Sequence, residues 1–219
     1  KAVFKQARKE NICKYSPAEN ILLEEYVDGC DLEVKTNEER SFSIEDNAKL
    51  KEYALQHTDN PHALVLLVSM ETGLRIGELV AIKKPDVMEH FFHIHRQQRK
   101  IPKSETNEHQ EFVVVNYTKN ERQNPRGGRK TPITTECKRI LDIALAYPGE
   151  SEYVFHHKDG RPIQKDSYGQ YLKRVCKRLG ITATNNHAFR IAFNGRLDRA
   201  GLELNTKCLF LGNSPETNM

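Results

Sequence analysis

The sequence predicts a mainly α-helical domain of the α+β class with a small antiparallel β-sheet. Capped or amphipathic helical segments occur on both sides of the chain's middle. The middle itself consists of short β-branched and aromatic runs separated by turn signals. With 219 residues, of which 37% are hydrophobic, the chain has enough apolar material for one sizeable core.

The N-terminal part is predicted to be the end of a helix followed by a linker. Residues 1–13 place several apolar side chains on one helical face. Residues 14–40 are acidic and irregular and contain a Ser-Pro pair, a composition typical of linkers. We therefore expect a domain boundary near Ser41.

Three helices are predicted next. The first begins after Ser43, whose hydroxyl can cap it, and runs to about residue 57. The second begins after Asn60, because asparagine is a good cap and the proline that follows fits a first helical turn. Its apolar run over residues 63–70 predicts burial on all sides. Gly73 ends this helix, and a short helix is predicted over residues 75–82.

The middle of the chain is predicted to be β-structure. Residues 91–94 and 112–115 are β-like runs, and a polar, partly basic segment lies between them. The turn signal at residues 124–128 is followed by a short strand over 130–133. We expect a single small antiparallel sheet with a basic hairpin.

Helices resume in the C-terminal part, where glycines and prolines mark their ends. The predicted elements are a helix capped by Thr134 or Thr135, a brief strand over 153–155, helices over 166–179, 187–200 and 205–211, and a helix start at Ser214. The helix over 166–179 is amphipathic, so one of its faces is expected to join the core.

Charge is distributed unevenly along the chain. The net charge is +4, with −5 in residues 1–95 and +9 in residues 96–219. A basic half favours a polyanion as partner, and nucleic acid is the commonest one. A merely solvated lysine-rich surface is the alternative.

The five cysteines are scattered, and none forms a CxxC pair. This pattern predicts small core residues in a reducing compartment rather than a zinc site or disulfides. No apolar run approaches the roughly 18 residues of a membrane helix, and no signal peptide is recognised. We expect no membrane partner and no metal. The first residue is not Met, which predicts a start inside a longer protein.

Arg75 is the first candidate for phosphate chemistry. It lies in the run TGLRIGEL at residues 72–79, where Gly73 ends one helix and Arg75 begins the next. The guanidinium and nearby backbone N–H groups could face an anion together. Glu78, three residues on, is placed to orient Arg75. A surface Arg–Glu pair is the alternative interpretation.

Three further residues complete the candidate set. His187 and Arg190 lie three positions apart and share one helical face, so both could contact one phosphate. Lys119 lies just before the basic turn. Taken singly, an HxxR pair and a hairpin lysine are weak signals, since solvated side chains explain them equally well.

The order of these segments resembles the tyrosine recombinase (phage integrase) family over residues 41–219. The resemblance rests on TGLRIGEL, a β-hairpin with Lys119, the HxxR pair and the LGNS run at residues 211–214. Within the family, the chain resembles integrases of conjugative transposons from Gram-positive bacteria. The resemblance implies a tyrosine recombinase catalytic-domain fold and site-specific DNA recombination by integration and excision.

The resemblance also implies a role for each site residue. Arg75 and Arg190 would bind the scissile phosphate, His187 would hydrogen-bond it or assist proton transfer, and Lys119 would be the general acid. A tyrosine would attack the phosphate and form a 3′-phosphotyrosine, with no metal or nucleotide cofactor. Preorganised cationic donors suit this chemistry, because negative charge accumulates on the phosphate oxygens in the transition state.

Two features depart from the family pattern. Asn213 stands where the family often has His or Trp, and an amide cannot titrate. No tyrosine follows Asn213, and the family's nucleophile lies about two turns beyond the LGxS run. We therefore expect the tyrosine just after Met219, and the chain as given should bind DNA without cleaving it.

The resemblance extends to domains and partners. Residues 1–40 would be the C-terminal end of a core-binding domain and a linker, and residues 41–219 a catalytic domain truncated before its nucleophile-bearing helix is complete. The expected partners are double-stranded DNA and further copies of the chain in a DNA-dependent dimer or tetramer that exchanges C-terminal helices. The expected location is the bacterial cytoplasm.

Basic residues near the hairpin are predicted to contact DNA. They are Lys83, Lys84, Arg96, Arg99, Lys100, Arg126, Arg129 and Lys130. The segment 96–111 is longer than a minimal hairpin requires, and we expect it to touch the DNA backbone or a neighbouring protomer. A solvated loop is an equal alternative.

Two other functions are compatible with parts of the pattern. A type IB topoisomerase would use similar residues to relax supercoils as a monomer, but the LGNS run and the short domain argue against it. A non-catalytic DNA-binding architectural module would have no need of a leaving-group acid such as Lys119.

Overall fold

A computed structural model describes residues 2–15, 40–101, 112–118, 127–182 and 185–214. The chain divides into two compact units, residues 1–36 and 37–219. In the first unit, helix α1 spans Ala2–Lys9 and ends on Arg8 and Lys9. Two cations in the last turn complement the negative end of the helix dipole.

The second unit is mainly helical, and the prediction of an α+β fold is confirmed. Its helices are α2 (Ile44–Leu55), α3 (Pro61–Thr72), α4 (Ile76–Leu79), α5 (Thr135–Leu145), α6 (Lys165–Leu179), α7 (His187–Arg199) and α8 (Leu204–Leu211). Its strands are β1 (Phe91–Ile94), β2 (Gln97–Lys100), β3 (Phe112–Val115) and β4 (Arg129–Pro132).

Helix α3 forms the centre of the core, as its sequence predicts. Every residue from Ala63 to Met70 is buried, and α2, α5 and α7 pack around the helix. Its start is capped by Asn60, whose Oδ1 accepts from the His62 N–H at 3.0 Å. Ser43 caps α2 in the same way through the Asp46 N–H, at 3.0 Å. Local capping chemistry therefore sets where these helices begin.

Among the described residues, the strands form two two-stranded antiparallel sheets, so the expected single sheet is wrong in its pairing. β1 pairs with β4, with Phe91 opposite Pro132, and β2 pairs with β3, with Gln97 opposite Val115. Strand β2 escaped prediction because its sequence, QQRK, is polar. Tertiary contacts stabilise it: buried Gln98 donates to the Ile163 carbonyl at 3.2 Å and accepts from the Lys165 N–H at 2.8 Å.

Two further local predictions need correction. The predicted strand over 153–155 is only a pair of isolated bridges, Tyr153 with Lys83 and His156 with Pro162. Its apolar residues Val154 and Phe155 are instead buried in the core as an irregular segment. The short helix predicted over 75–82 is the single turn α4, with Arg75 as its N-cap residue.

Three of the cysteines, Cys137, Cys176 and Cys208, are buried. Burial raises the pKa of the Cys137 thiol to about 12 and that of Cys176 to about 11. These thiols are therefore core residues rather than reactive groups. Within the described ranges, no cluster of His, Cys, Asp and Glu could hold a metal ion. No helix in those ranges is both long and apolar enough to cross a membrane.

Gly73 cannot be replaced without strain, because its φ is +59° and an added Cβ would lie 2.8 Å from the Phe193 side chain. We expect Gly73→Ala to lower the free energy of unfolding by about 2 kcal/mol or more, since a left-handed conformation alone costs alanine roughly 1–2 kcal/mol. Urea denaturation would measure the loss.

Gly180→Ala is the matched control for this prediction. Gly180 ends α6 with φ +70°, but an added Cβ would meet nothing within 4 Å. The Gly180→Ala protein should therefore lose only the free energy of unfolding that the left-handed conformation costs alanine. Equal losses at the two positions would show that the contact with Phe193 costs nothing.

Candidate active site

Arg75 lies at the junction between α3 and α4. Its backbone N–H donates to Glu78 Oε2 at 3.2 Å, and its Nη1 donates to Glu78 Oε1 at 3.1 Å. Glu78 therefore engages both the backbone and the side chain of Arg75. The remaining terminal nitrogen, Nη2, donates to the Gly212 carbonyl at 3.1 Å.

Glu78 is a buried carboxylate shared by two arginines. Its side chain is 1% exposed, and Arg129 on β4 donates to both of its oxygens, at 3.1 and 2.7 Å. Burial alone would raise the pKa of Glu78, but Arg129, Arg75 and Arg190 outweigh it and hold the pKa below the usual value. The carboxyl group is therefore ionised at neutral pH and holds two guanidinium groups in fixed positions.

Arg190 approaches the same place from α7. It is only 4% exposed, and its Nη1 donates to the Gly73 carbonyl at 3.0 Å. Its Nη2 donates to the Leu211 carbonyl and, at 2.5 Å, to Asn213 Oδ1. Burial and the nearby Arg75 lower the pKa of Arg190 to about 9, so it is charged at neutral pH but at an electrostatic cost.

Asn213 shows that Arg75 and Arg190 converge on one point. Its Oδ1 accepts from Arg75 Nη2 at 2.9 Å and from Arg190 Nη2 at 2.5 Å. One acceptor oxygen thus lies between two guanidinium groups. A non-bridging phosphate oxygen is also an acceptor, and it carries negative charge, so the same donors could bind it in place of the amide.

The electrostatics of the site favour an anion. Three guanidinium groups, those of Arg75, Arg129 and Arg190, surround the single carboxylate of Glu78. Two of these cations have little access to solvent, with Arg129 at 12% and Arg190 at 4% exposure. A bound phosphate group would offset their mutual repulsion in this poorly solvated environment.

Of the other two candidate residues, the structure describes His187 but not Lys119. His187 is the first residue of α7 and is exposed, one helical turn before Arg190 and on the same side of the helix. Lys119 lies outside the described residues, and its proposed role stays a prediction.

Tyr168 and Tyr171 lie inside the core. Burial raises the pKa of Tyr171 to about 12 and that of Tyr168 still further. Neither hydroxyl is therefore suited to attack a phosphate at the surface.

Most of the described residues that were predicted to contact DNA have partners within the chain. Lys83 pairs with Glu152 at 2.7 Å, Arg96 with Asp86 at 2.6 Å, and Lys100 with Asp166 at 2.7 Å. Arg99 donates to the Tyr117 hydroxyl at 2.8 Å. Lys84 lies in a 3₁₀ turn, Lys130 is exposed with its ammonium 4.6 Å from the centre of the Phe91 ring, and Arg126 is outside the described residues.

Sequence reasoning missed two features of the site. It did not join Arg129 to Glu78, which lies 51 positions away, and it did not identify Asn213 Oδ1 as a shared acceptor. One signal was available: a glutamate in the middle of the mostly apolar run at residues 74–82 requires a cationic partner if it is buried.

Comparisons with known proteins place this site in context. A model of the phage integrase family matches residues 43–212. No curated protein matches the chain in sequence.

Solved structures are similar in fold. The Tn1549 transposon integrase bound to transposon right end DNA has a TM-score of 0.74 at 17% identity, over 100% of this chain and 70% of that one. A lambda integrase dimer bound to a core site has a TM-score of 0.58 at 16% identity, over 99% and 68%. XerA recombinase has a TM-score of 0.57 at 19% identity, over 81% and 56%. The chain thus spans between 56% and 70% of the length of these proteins.

Proposed function

The chain belongs to the phage integrase family, and from that premise we propose that it is the catalytic domain of a tyrosine recombinase that acts on double-stranded DNA. The observation that carries the proposal is the single acceptor position shared by Arg75 and Arg190. Two preorganised guanidinium groups at one oxygen are what a phosphodiester needs when negative charge accumulates in its transition state.

The proposed reaction is phosphoryl transfer through a covalent intermediate. A tyrosine oxygen attacks the scissile phosphorus, the bond from phosphorus to the 5′-oxygen breaks, and a 3′-phosphotyrosine forms. Arg75 and Arg190 bind the phosphate oxygens. His187 hydrogen-bonds the phosphate or accepts the proton that the tyrosine hydroxyl loses, and Lys119 donates a proton to the leaving 5′-oxygen. Rejoining reverses these steps with a second DNA 5′-hydroxyl as the attacking group, so the bond energy is conserved.

The organisation of the protein is part of the same proposal. Residues 1–40 are assigned to the end of a core-binding domain and its linker, and residues 41–219 to the catalytic domain. A DNA-dependent oligomer is supported by the solved lambda integrase assemblies, a dimer on a core site and a tetramer on a Holliday junction. The bacterial cytoplasm, where chromosomal and element DNA are accessible, is the proposed location.

Two alternatives are weaker. A type IB topoisomerase would relax supercoils without strand exchange, whereas the solved relatives named above are recombinases and integrases. A purely architectural DNA-binding module would not require the costly burial of Arg190 and Glu78, since exposed cations suffice for backbone contacts.

Trapping the covalent intermediate tests the proposal. The product of the complete reading frame would be incubated with sheared genomic DNA of its host, and fragments covalently attached to protein would be sequenced. A nicked duplex built from the recovered sequence should then accumulate a protein–DNA adduct linked through tyrosine. Absence of any adduct under conditions in which the protein binds this DNA would contradict the proposal. Relaxation of supercoiled plasmid without strand exchange would favour the topoisomerase.

A further inference from the structure

We infer that Arg129 is a positioning residue of this site, which holds Glu78 and the C-terminal end of α8 in place, rather than a residue that contacts DNA. The inference rests on the proposed function, because the site that Arg129 positions is the proposed cleavage site. The role inferred for Arg129 differs from the one predicted from the sequence, which was contact with DNA.

The first contact of Arg129 is with Glu78. Its Nη1 and Nη2 donate to the two carboxylate oxygens at 3.1 and 2.7 Å, which is a bidentate pairing. Glu78 Oε1 also accepts from Arg75 Nη1 at 3.1 Å. Arg129 and Arg75 therefore meet at one carboxylate, and the orientation of Glu78 towards Arg75 depends on Arg129.

The second contact is with the segment that carries Asn213. Arg129 Nε donates to the Phe210 carbonyl at 3.2 Å, and the Thr131 hydroxyl donates to the same oxygen at 3.1 Å. The guanidinium group packs directly against Gly212, where an added Cβ would lie 2.8 Å from Arg129 Cζ. Strand β4 thus fixes the end of α8, from which Gly212 and Asn213 reach Arg75.

The guanidinium group of Arg129 is directed at these internal contacts. All three side-chain nitrogens donate within the protein, and the side chain is 12% exposed. Lys130, the next residue on β4, is exposed. Adjacent residues of a strand point to opposite faces, so Lys130 is better placed than Arg129 for a phosphate contact outside the site.

Arg129 also has an electrostatic role. Three arginines face Glu78: Arg75 at the start of α4, Arg129 on β4 and Arg190 on α7. Among them, Arg129 most strongly opposes the rise in the pKa of Glu78 that burial causes. Without Arg129, the pKa of Glu78 would be higher, because only Arg75 and Arg190 would oppose the effect of burial. Below that raised pKa the carboxyl group would be neutral and would hold Arg75 less firmly.

The experiment compares Arg129→Ala and Arg129→Lys with the unsubstituted protein. Adduct formation on the nicked duplex is followed across pH, and binding of a 30-base-pair duplex is followed across salt. We expect Arg129→Ala to slow adduct formation about tenfold, as for other residues that orient a functional group, and to move the acid limb of its pH profile to higher pH. The slope of log affinity against log salt should stay unchanged.

The lysine variant separates charge from geometry. It should keep the acid limb near its original pH, because the positive charge beside Glu78 remains. It should not restore the rate, because one ammonium group cannot bridge Glu78 and Phe210 in the way that the guanidinium does.

Two controls bracket these results. Arg139→Ala removes an arginine that is 77% exposed on α5 and should change neither measurement. Lys130→Ala should reduce the salt slope by about one, the value for one lost phosphate contact.

If Arg129→Ala reduces the slope equally, Arg129 contacts DNA and the inference fails. Normal adduct rates in both Arg129 variants would also overturn it. Absence of adduct in the unsubstituted protein would contradict the proposed function instead, and the salt slope would still decide the role of Arg129.

Discussion

Replacing Arg75 with alanine should slow adduct formation by about 10²–10³-fold, the usual effect of losing one donor to a transition-state oxyanion. Arg75 is the more accessible of the two arginines that share an acceptor, and its Nη2 already lies 2.9 Å from that acceptor, Asn213 Oδ1. DNA affinity should change little, because one phosphate contact among many contributes a small part of binding. The adduct rate on the nicked duplex, at saturating protein, measures the effect directly.

Arg161→Ala is a suitable control for this prediction. Arg161 also pairs with a neighbouring carboxylate, Asp159 at 2.6 Å, but its side chain is 80% exposed and lies outside the site. It should form the adduct at the normal rate. Near-normal rates for Arg75→Ala would show that this residue does not bind the scissile phosphate, and the site assignment would be wrong.

Replacing Glu78 with alanine should lower the free energy of unfolding by about 3–5 kcal/mol, because it leaves buried guanidinium groups without their counter-charge. Arg129 would lose both of its bonds to the carboxylate, and Arg75 would lose the partner of its N–H and Nη1. For a domain of this size each kcal/mol corresponds to roughly 2–4 °C in Tm, so the shift should be easily measured by calorimetry.

The surface pair of Lys83 and Glu152 provides the comparison. Glu152→Ala removes a carboxylate that is 58% exposed and should cost less than about 1 kcal/mol. Inorganic phosphate should stabilise the Glu78→Ala protein more than the unsubstituted one, because a bound anion replaces part of the missing charge. A loss at Glu78 no larger than the loss at Glu152 would mean that the arginines do not depend on this carboxylate.

The helices could be predicted because their signals are local. Ser43, Asn60 and Gly73 mark helix ends through capping bonds and a left-handed turn within a few residues of themselves. The all-apolar run of α3 likewise predicts burial without reference to any partner. The phosphate-binding role of Arg75 and Arg190, by contrast, was an expectation drawn from the order of motifs in a known family.

The strands could not be predicted as reliably, because their partners are distant. β2 is polar and is stabilised by pairing with β3 and by the bonds of Gln98 to Ile163 and Lys165 at the start of α6. Residues 153–155 are apolar enough for a strand but find only single bridging partners. Composition alone does not distinguish these two segments, since strand formation depends on which neighbouring segments are available to pair with them.

By itself, the sequence determined the positions of most helices and the buried centre, because periodicity and capping act over a few residues. The candidate residues followed from the order of motifs in a known family. Only the tertiary structure decided that Arg75 and Arg190 meet at Asn213, at 138 and 23 residues' separation. It alone also joined Arg129 to Glu78. The physical reason is that packing of α7 against α3, and of α8 against β4 and α7, brings these charges together. Such long-range packing has no local signature in the chain.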